Sequence, residues 1–260
     1  MKKIAVCLLV LAMAGMVSAV TLPTGCTGLW TFDNTSNLGQ ATIGTDLTFV
    51  GTKTYQVGPG GYAIVDPLGT KTTNYIVCTP GIAGNGGSTK GMANEWTIAM
   101  DVLVPTIGSW TALFQTNPDN KNDADCFINK TGKIGQGDPG YTTSSVSANT
   151  WYRIVVSVDC GTSFKIFVDG TKCLDKTITS SNTTLQIDQR WSLESKAVIF
   201  GDDSGEDAAI VCNTLAFFDH AMTDSEAASM GNAYTTLAIP EPTTVGIMLI
   251  GAMFMSRRKK

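Results

Sequence analysis

An all-β fold, an antiparallel two-sheet sandwich, follows from three features of this 260-residue chain: short apolar segments of period two, Gly- and Asn-rich turns between them, and almost no helical stripe. Trp96, Ile98, Met100, Val102 and Val104 alternate with Thr97, Ala99, Asp101 and Leu103. That alternation predicts a strand with one strongly apolar face, ended by Pro105. Trp110 to Gln115 reads as its neighbour after a short turn at Gly108-Ser109. Tyr152, Ile154, Val156 and Val158 make another period-two face. Phe164 to Val168 and Lys172 to Thr177 flank Asp169-Gly170, a pair that accepts the positive φ angles of a tight hairpin turn. Ala197 to Phe200 and Ile210 to Asp219 are two late strands. The one convincing helix is short: Thr223 and Glu226 form a capping box at the head of Asp224 to Met230, which predicts a surface turn and no separate layer. Residues 82–91, rich in Gly and Asn, read as an exposed loop.

Both ends read as targeting segments around one domain over residues 20–238. Lys2 and Lys3, the apolar run Ile4 to Val17 and the small residues Val17-Ser18-Ala19 have the order of a secretory signal peptide over 1–19, cut after Ala19 by signal peptidase. The run is shorter than the ~20 residues a membrane-spanning helix needs. At the other end, Pro240, Glu241 and Pro242 precede an apolar stretch from Thr243 to Met255 and a basic tail, Arg257-Arg258-Lys259-Lys260. The prolines break any helix entering the stretch, the stretch can enter lipid, and the basic tail holds the cytoplasmic side.

Between these segments the body carries 21 acidic against 12 basic residues, a net charge near −9. That excludes nucleic acid as a natural partner and is compatible with divalent cations. The body holds six cysteines, Cys26, Cys78, Cys126, Cys160, Cys173 and Cys212. In an oxidising compartment an even number predicts up to three disulfides, with Cys160 and Cys173 the one pair close enough in sequence to suggest a bridge between neighbouring strands. No CxxC pair supports a redox centre or a zinc ribbon.

Two resemblances add to this reading. The Pro-Glu-Pro motif, apolar stretch and basic tail of residues 239–260 together resemble the PEP-CTERM sorting signal of Gram-negative bacteria. That resemblance implies processing by an exosortase and delivery to the envelope or extracellular matrix. The body, from about Gly28 to Gly231, resembles a concanavalin A-like, laminin-G-like jelly roll. The resemblance is carried by Gly28-Leu29-Trp30-Thr31-Phe32-Asp33, by Thr150-Trp151-Tyr152-Arg153-Ile154-Val155-Val156, and by Phe164-Lys165-Ile166-Phe167-Val168-Asp169-Gly170. Leu215 to Thr223, followed by Glu226, resembles the family's closing strand and capped turn. In this family the first and last strands lie close together.

The acidic loop Asp202, Asp203, Glu206 and Asp207 is the leading metal candidate, since a Gly-containing turn can gather hard carboxylate oxygens around Ca2+. Its spacing is not that of an EF-hand, and a solvated acidic turn is the alternative. Asp33, on the first strand, either caps a turn or joins a cation site at that edge. A second cluster, Asp119, Asn120, Asn122, Asp123 and Asp125, reads as a turn before a cation site. Sugar rings need exposed aromatic faces. Trp30, Trp96 and Trp151 sit in strand patterns and read as core, whereas Trp191, after Asp188-Gln189-Arg190 and before the acidic loop, is the candidate for a binding rim, with core packing as the alternative.

Catalysis is disfavoured. Glucanases on this sandwich carry paired carboxylates on one strand face, commonly Glu-x-Asp-x-x-Glu, and no such run occurs. His220 is the only histidine and reads as turn packing. The sequence therefore points to an exported, non-catalytic adhesion or carbohydrate-binding module with a glycan or matrix partner. A structural matrix protein without a small ligand is the alternative, and a glycoside hydrolase or lyase is a more distant one.

Overall fold

The computed structural model describes residues 19–67, 73–119 and 123–239. The apolar runs of both targeting segments, Pro240, Glu241 and Pro242, and Asn120 and Asn122 lie outside the described residues. In chain order the first strands are β1 (Ala19–Thr21), β2 (Cys26–Trp30), β3 (Thr48–Val50), β4 (Thr54–Val57), β5 (Tyr62–Asp66) and β6 (Tyr75–Cys78). The middle holds β7 (Glu95–Leu103), β8 (Thr111–Gln115), β9 (Cys126–Ile128), β10 (Ile134–Gln136), β11 (Gly140–Tyr141) and β12 (Trp151–Asp159). Then come β13 (Ser163–Val168), β14 (Thr171–Thr177), β15 (Ala197–Ile199), β16 (Ile210–Phe218), the helix α1 (Asp224–Ser229) and β17 (Thr236–Ala238).

Two antiparallel sheets form a sandwich. One runs β14-β13-β12-β7-β16-β5-β4, with β2 beside the far half of β16; the other runs β11-β10-β9-β8-β15-β6-β3. Alternation along β7 works as the period predicts. Trp96, Ile98, Met100 and Val102 enter the core between the sheets, with Trp30, Ile64, Phe114, Ile154, Phe164 and Phe217. Asp169 and Gly170 take φ of 48° and 75°, the left-handed pair that the predicted hairpin turn requires. The first and closing strands do lie together, with Trp30 opposite Leu215.

One pairing expected from the sequence is corrected. β8 is no neighbour of β7: it pairs with β9 and β15 in the opposite sheet. Residues 104–110 carry the chain across the sandwich instead of turning it back. Period two reports which face of a strand is buried, and both sheets bury such a face.

The outer face of the larger sheet is also covered. Ala99, Val155, Phe167, Ala216 and Phe218 pack beneath Met222, Ala227, Met230 and Leu237. The capping box of α1 forms as read, with Glu226 N donating to the Thr223 hydroxyl and Thr223 N donating to Glu226. The short helix thus belongs to a lid, completed by the parallel ribbon of β1 and β17. Arg153 secures the lid from below. Its guanidinium makes two 2.7 Å hydrogen bonds to the Asp101 carboxylate and donates to the carbonyls of Met230 and Thr235.

The six cysteines of the body are free thiols, which overturns the expected disulfides. Cys160 follows β12, level with the far end of the β13–β14 hairpin, whereas Cys173 lies near its turn. About five residues of strand, roughly 16 Å, separate the two positions, well beyond bridging distance. All but Cys26 are buried. Burial pushes the Cys78 thiol up to about 12 and Cys160 up to about 11.

Candidate functional site, a polar cleft with an acidic rim

Stretches far apart in sequence meet at one end of the sandwich: Lys90 and Met92, Thr116 and Asn117, Asp123 and Asp125, residues 188–194, and Asp203. They enclose an open cleft of about 770 Å³, whose walls carry Lys90, Asn117, Asp123, Gln189, Arg190, Glu194 and Asp203.

Two buried carboxylates hold these walls in shape. Asp188 (φ 56°) accepts from the Ser88 hydroxyl at 2.7 Å, from Thr89 N at 2.7 Å and its hydroxyl at 2.8 Å, and from Lys90 N at 3.1 Å. Burial opposes ionisation of Asp188, but these bonds and one from Asn94 outweigh it and hold the carboxyl well below the usual range. Asp125 accepts from Thr116 N and hydroxyl at 2.8 and 2.9 Å, and from Arg190 Nε at 2.6 Å. Arg190 also donates to the carbonyls of Asp123 and Ala124. With their lone pairs committed in this way, Asp125 and Asp188 serve as scaffold and are poor candidates for acid–base work.

Trp191 is not a rim residue, and this corrects the sequence expectation. Its ring is 0% exposed, packs edge-on to Phe164, and donates through Nε1 to the Asp125 carbonyl at 3.1 Å. A sugar cannot reach it. The Arg190 guanidinium lies 4.9 Å from the ring centroid, so Trp191 instead supports the cationic wall of the cleft from the core.

The acidic loop is only partly assembled as expected. Carboxylate oxygens of Asp202 and Glu206 converge with that of Asp123, all within 4.8 Å of one another. Asp203 lines the cleft beside them. Asp207 turns into the interior, 3% exposed. Asp33 takes no part: it accepts from Tyr62 N at 3.0 Å and lines a small recess with Asn213 and Thr235. Asp123 comes from the cluster that reads as a turn.

The donor set suits a hard cation in kind. Asp202 Oδ2 is filled by Ser204 N, the Ser204 hydroxyl and Glu206 N, whereas Oδ1 accepts, among the described residues, only from Ala124 N at 3.0 Å. Burial, then repulsion from Asp202 and Asp123, raises the Glu206 pKa, a strain that a bound cation would relieve. Three carboxylates fall short of the six to eight oxygens of a calcium shell, so water or ligand hydroxyls would complete it.

No protein-family model matches the sequence, and no curated protein matches it. Solved structures do match. Domain 4 of AbnA, a GH43 extracellular arabinanase from Geobacillus stearothermophilus, in complex with arabinotriose, aligns with a TM-score of 0.53 at 17% identity. The alignment covers 79% of this chain and 98% of that one. The binding domain of Paraclostridial Mosquitocidal Protein 1 aligns at 0.56 and 15% identity, and that of botulinum neurotoxin DC, in complex with rat synaptotagmin II, at 0.54 and 10%. Each covers 79% of this chain and 51% of its own, so the chain spans about half the length of the two toxin structures. At these identities the likeness establishes the β-sandwich fold of such binding domains.

Among the described residues no helix is long and apolar enough to cross a membrane.

Proposed function

We propose that this chain is an exported, non-catalytic glycan-binding module of the cell envelope or its matrix, with the cleft as its binding site. The observation that carries the reading is the cleft itself: open, rigidly framed, and walled by amides, carboxylates and two cations. Such a surface offers paired donors and acceptors to sugar hydroxyls. The arabinotriose complex of AbnA domain 4 supports a saccharide on this fold. The signal peptide over 1–19 and the resemblance of residues 239–260 to a PEP-CTERM signal support export and sorting by signal peptidase and an exosortase. The strand series resembling laminin-G domains supports adhesion over catalysis.

Ca2+ at Asp123, Asp202 and Glu206, on the cleft rim, is proposed as the cofactor, where it would offer a sugar hydroxyl a hard electrophilic contact. Calorimetry of the purified protein against a polysaccharide panel, arabinan oligosaccharides first, tests both ideas. Saturable binding without new reducing ends is expected. Asn117→Ala with Gln189→Ala should weaken it by at least about tenfold, the effect of two lost hydrogen bonds. Chelator, or Asp123→Ala with Glu206→Ala, should weaken it similarly. Cleavage of the glycan would replace the reading with a hydrolase, and binding indifferent to all four side chains would move the site elsewhere.

A further inference from the structure

Lys53 and Asp66 face each other at the end of the β4–β5 hairpin, one residue beyond the Thr54–Val65 pair. Their side chains are 1% and 3% exposed, and Lys53 Nζ stands 3.4 Å from Asp66 Oδ1. Neither Asp66 oxygen has a hydrogen bond, and nor does Oδ1 of the buried Asp207. Lys53 Nζ donates to the Val50 carbonyl at 2.8 Å, which fixes its position. An ion pair confined in this way is a poor resting state: the carboxylate faces one ammonium in an interior that gives its oxygens no hydrogen bond. Burial lowers the Lys53 pKa and raises Asp66 to about 7, with Asp207 nearby adding to the rise. Both shifts favour the uncharged forms, a free amine beside a carboxylic acid.

We propose that Lys53 and Asp66 condense spontaneously into an intramolecular isopeptide bond. The Nζ lone pair attacks Asp66 Cγ, forming the C–N bond. One amine proton passes to the departing hydroxyl. The Cγ–OH bond breaks, one water leaves, and nothing is oxidised or reduced. The product is a neutral amide whose remaining N–H keeps the Val50 carbonyl as partner. It removes a buried ion pair and fastens the edge strand β4 to β5.

The test is the mass of the denatured protein purified from cells expressing the full chain, followed by proteolysis and peptide sequencing. Wild type should weigh one water less than its processed sequence, and should yield a branched peptide joining Lys53 to Asp66. Lys53→Met and Asp66→Ala should both show their full sequence masses. An unchanged wild-type mass with both linear peptides recovered would overturn the proposal. So would a water loss located in a linear peptide, which is the mark of a succinimide. Because wild type itself gives the answer, poor folding of a variant does not blunt the test.

Discussion

Asp207 is a surface aspartate by composition and an interior one by position. Burial, then repulsion from Asp202, raises its carboxyl to about 6, against roughly 4 in an unfolded chain. The folded state therefore holds this proton more tightly than the unfolded state does. Its contribution to stability is complete below about pH 4 and is lost as the pH rises through about 6. The melting temperature should fall by a few degrees between pH 5 and 8, and Asp207→Asn should flatten that slope in a thermal shift series. A slope unchanged in the variant would mean that another group titrates there. Cysteine illustrates the same limit of residue-level reading. An even count in a chain read as exported predicts disulfides, yet Cys78, Cys126 and Cys212 are core side chains, packed as small apolar groups. Reductant should leave the melt unchanged, and the five buried body thiols, all but Cys26, should titrate only after denaturation. Fewer than six in all, or a lower melt with reductant, would restore the bridges.

At the level of elements, what could be read from the sequence was local. The β13–β14 hairpin follows from Asp169-Gly170, and α1 from the Thr223–Glu226 box, because each signal lies within a few residues of the structure it specifies. The sheet membership of β8 had no such signal, since burial of one face is common to both sheets. Arg153 was equally hidden. It stands in an apolar-rich strand, and nothing near it in sequence announces Asp101, 52 residues away, or the carbonyls of Met230 and Thr235. This latch carries a prediction of its own. Arg153→Met should destabilise the protein by about 3–5 kcal/mol in urea titrations, because Asp101 is left buried and unpaired. Adding Asp101→Leu should recover much of the loss. A cost below about 1 kcal/mol for the single change would show the lid to be held by its apolar contacts alone.

For the whole molecule, fold class was legible because turns, strand lengths and alternation repeat along the chain. The candidate site was not. Its walls come from stretches spread over more than 100 residues of chain, and Asp123, Arg190 and Asp188 acquire meaning only when the sandwich brings them together. Only the turn with Asp202 and Glu206 had a local signature, and even there the third carboxylate arrived from elsewhere. The parallel ribbon has a mechanical consequence. β1 and β17 run side by side, with Val20 opposite Leu237 and Thr21 opposite Ala238, and Arg153 grips Thr235 just before β17 begins. A tension applied beyond Ala238 along the strand loads these bonds in shear, so they must yield together instead of unzipping singly. A domain tethered through that strand would transmit force to its largest sheet before losing its fold, as a rivet does to a plate.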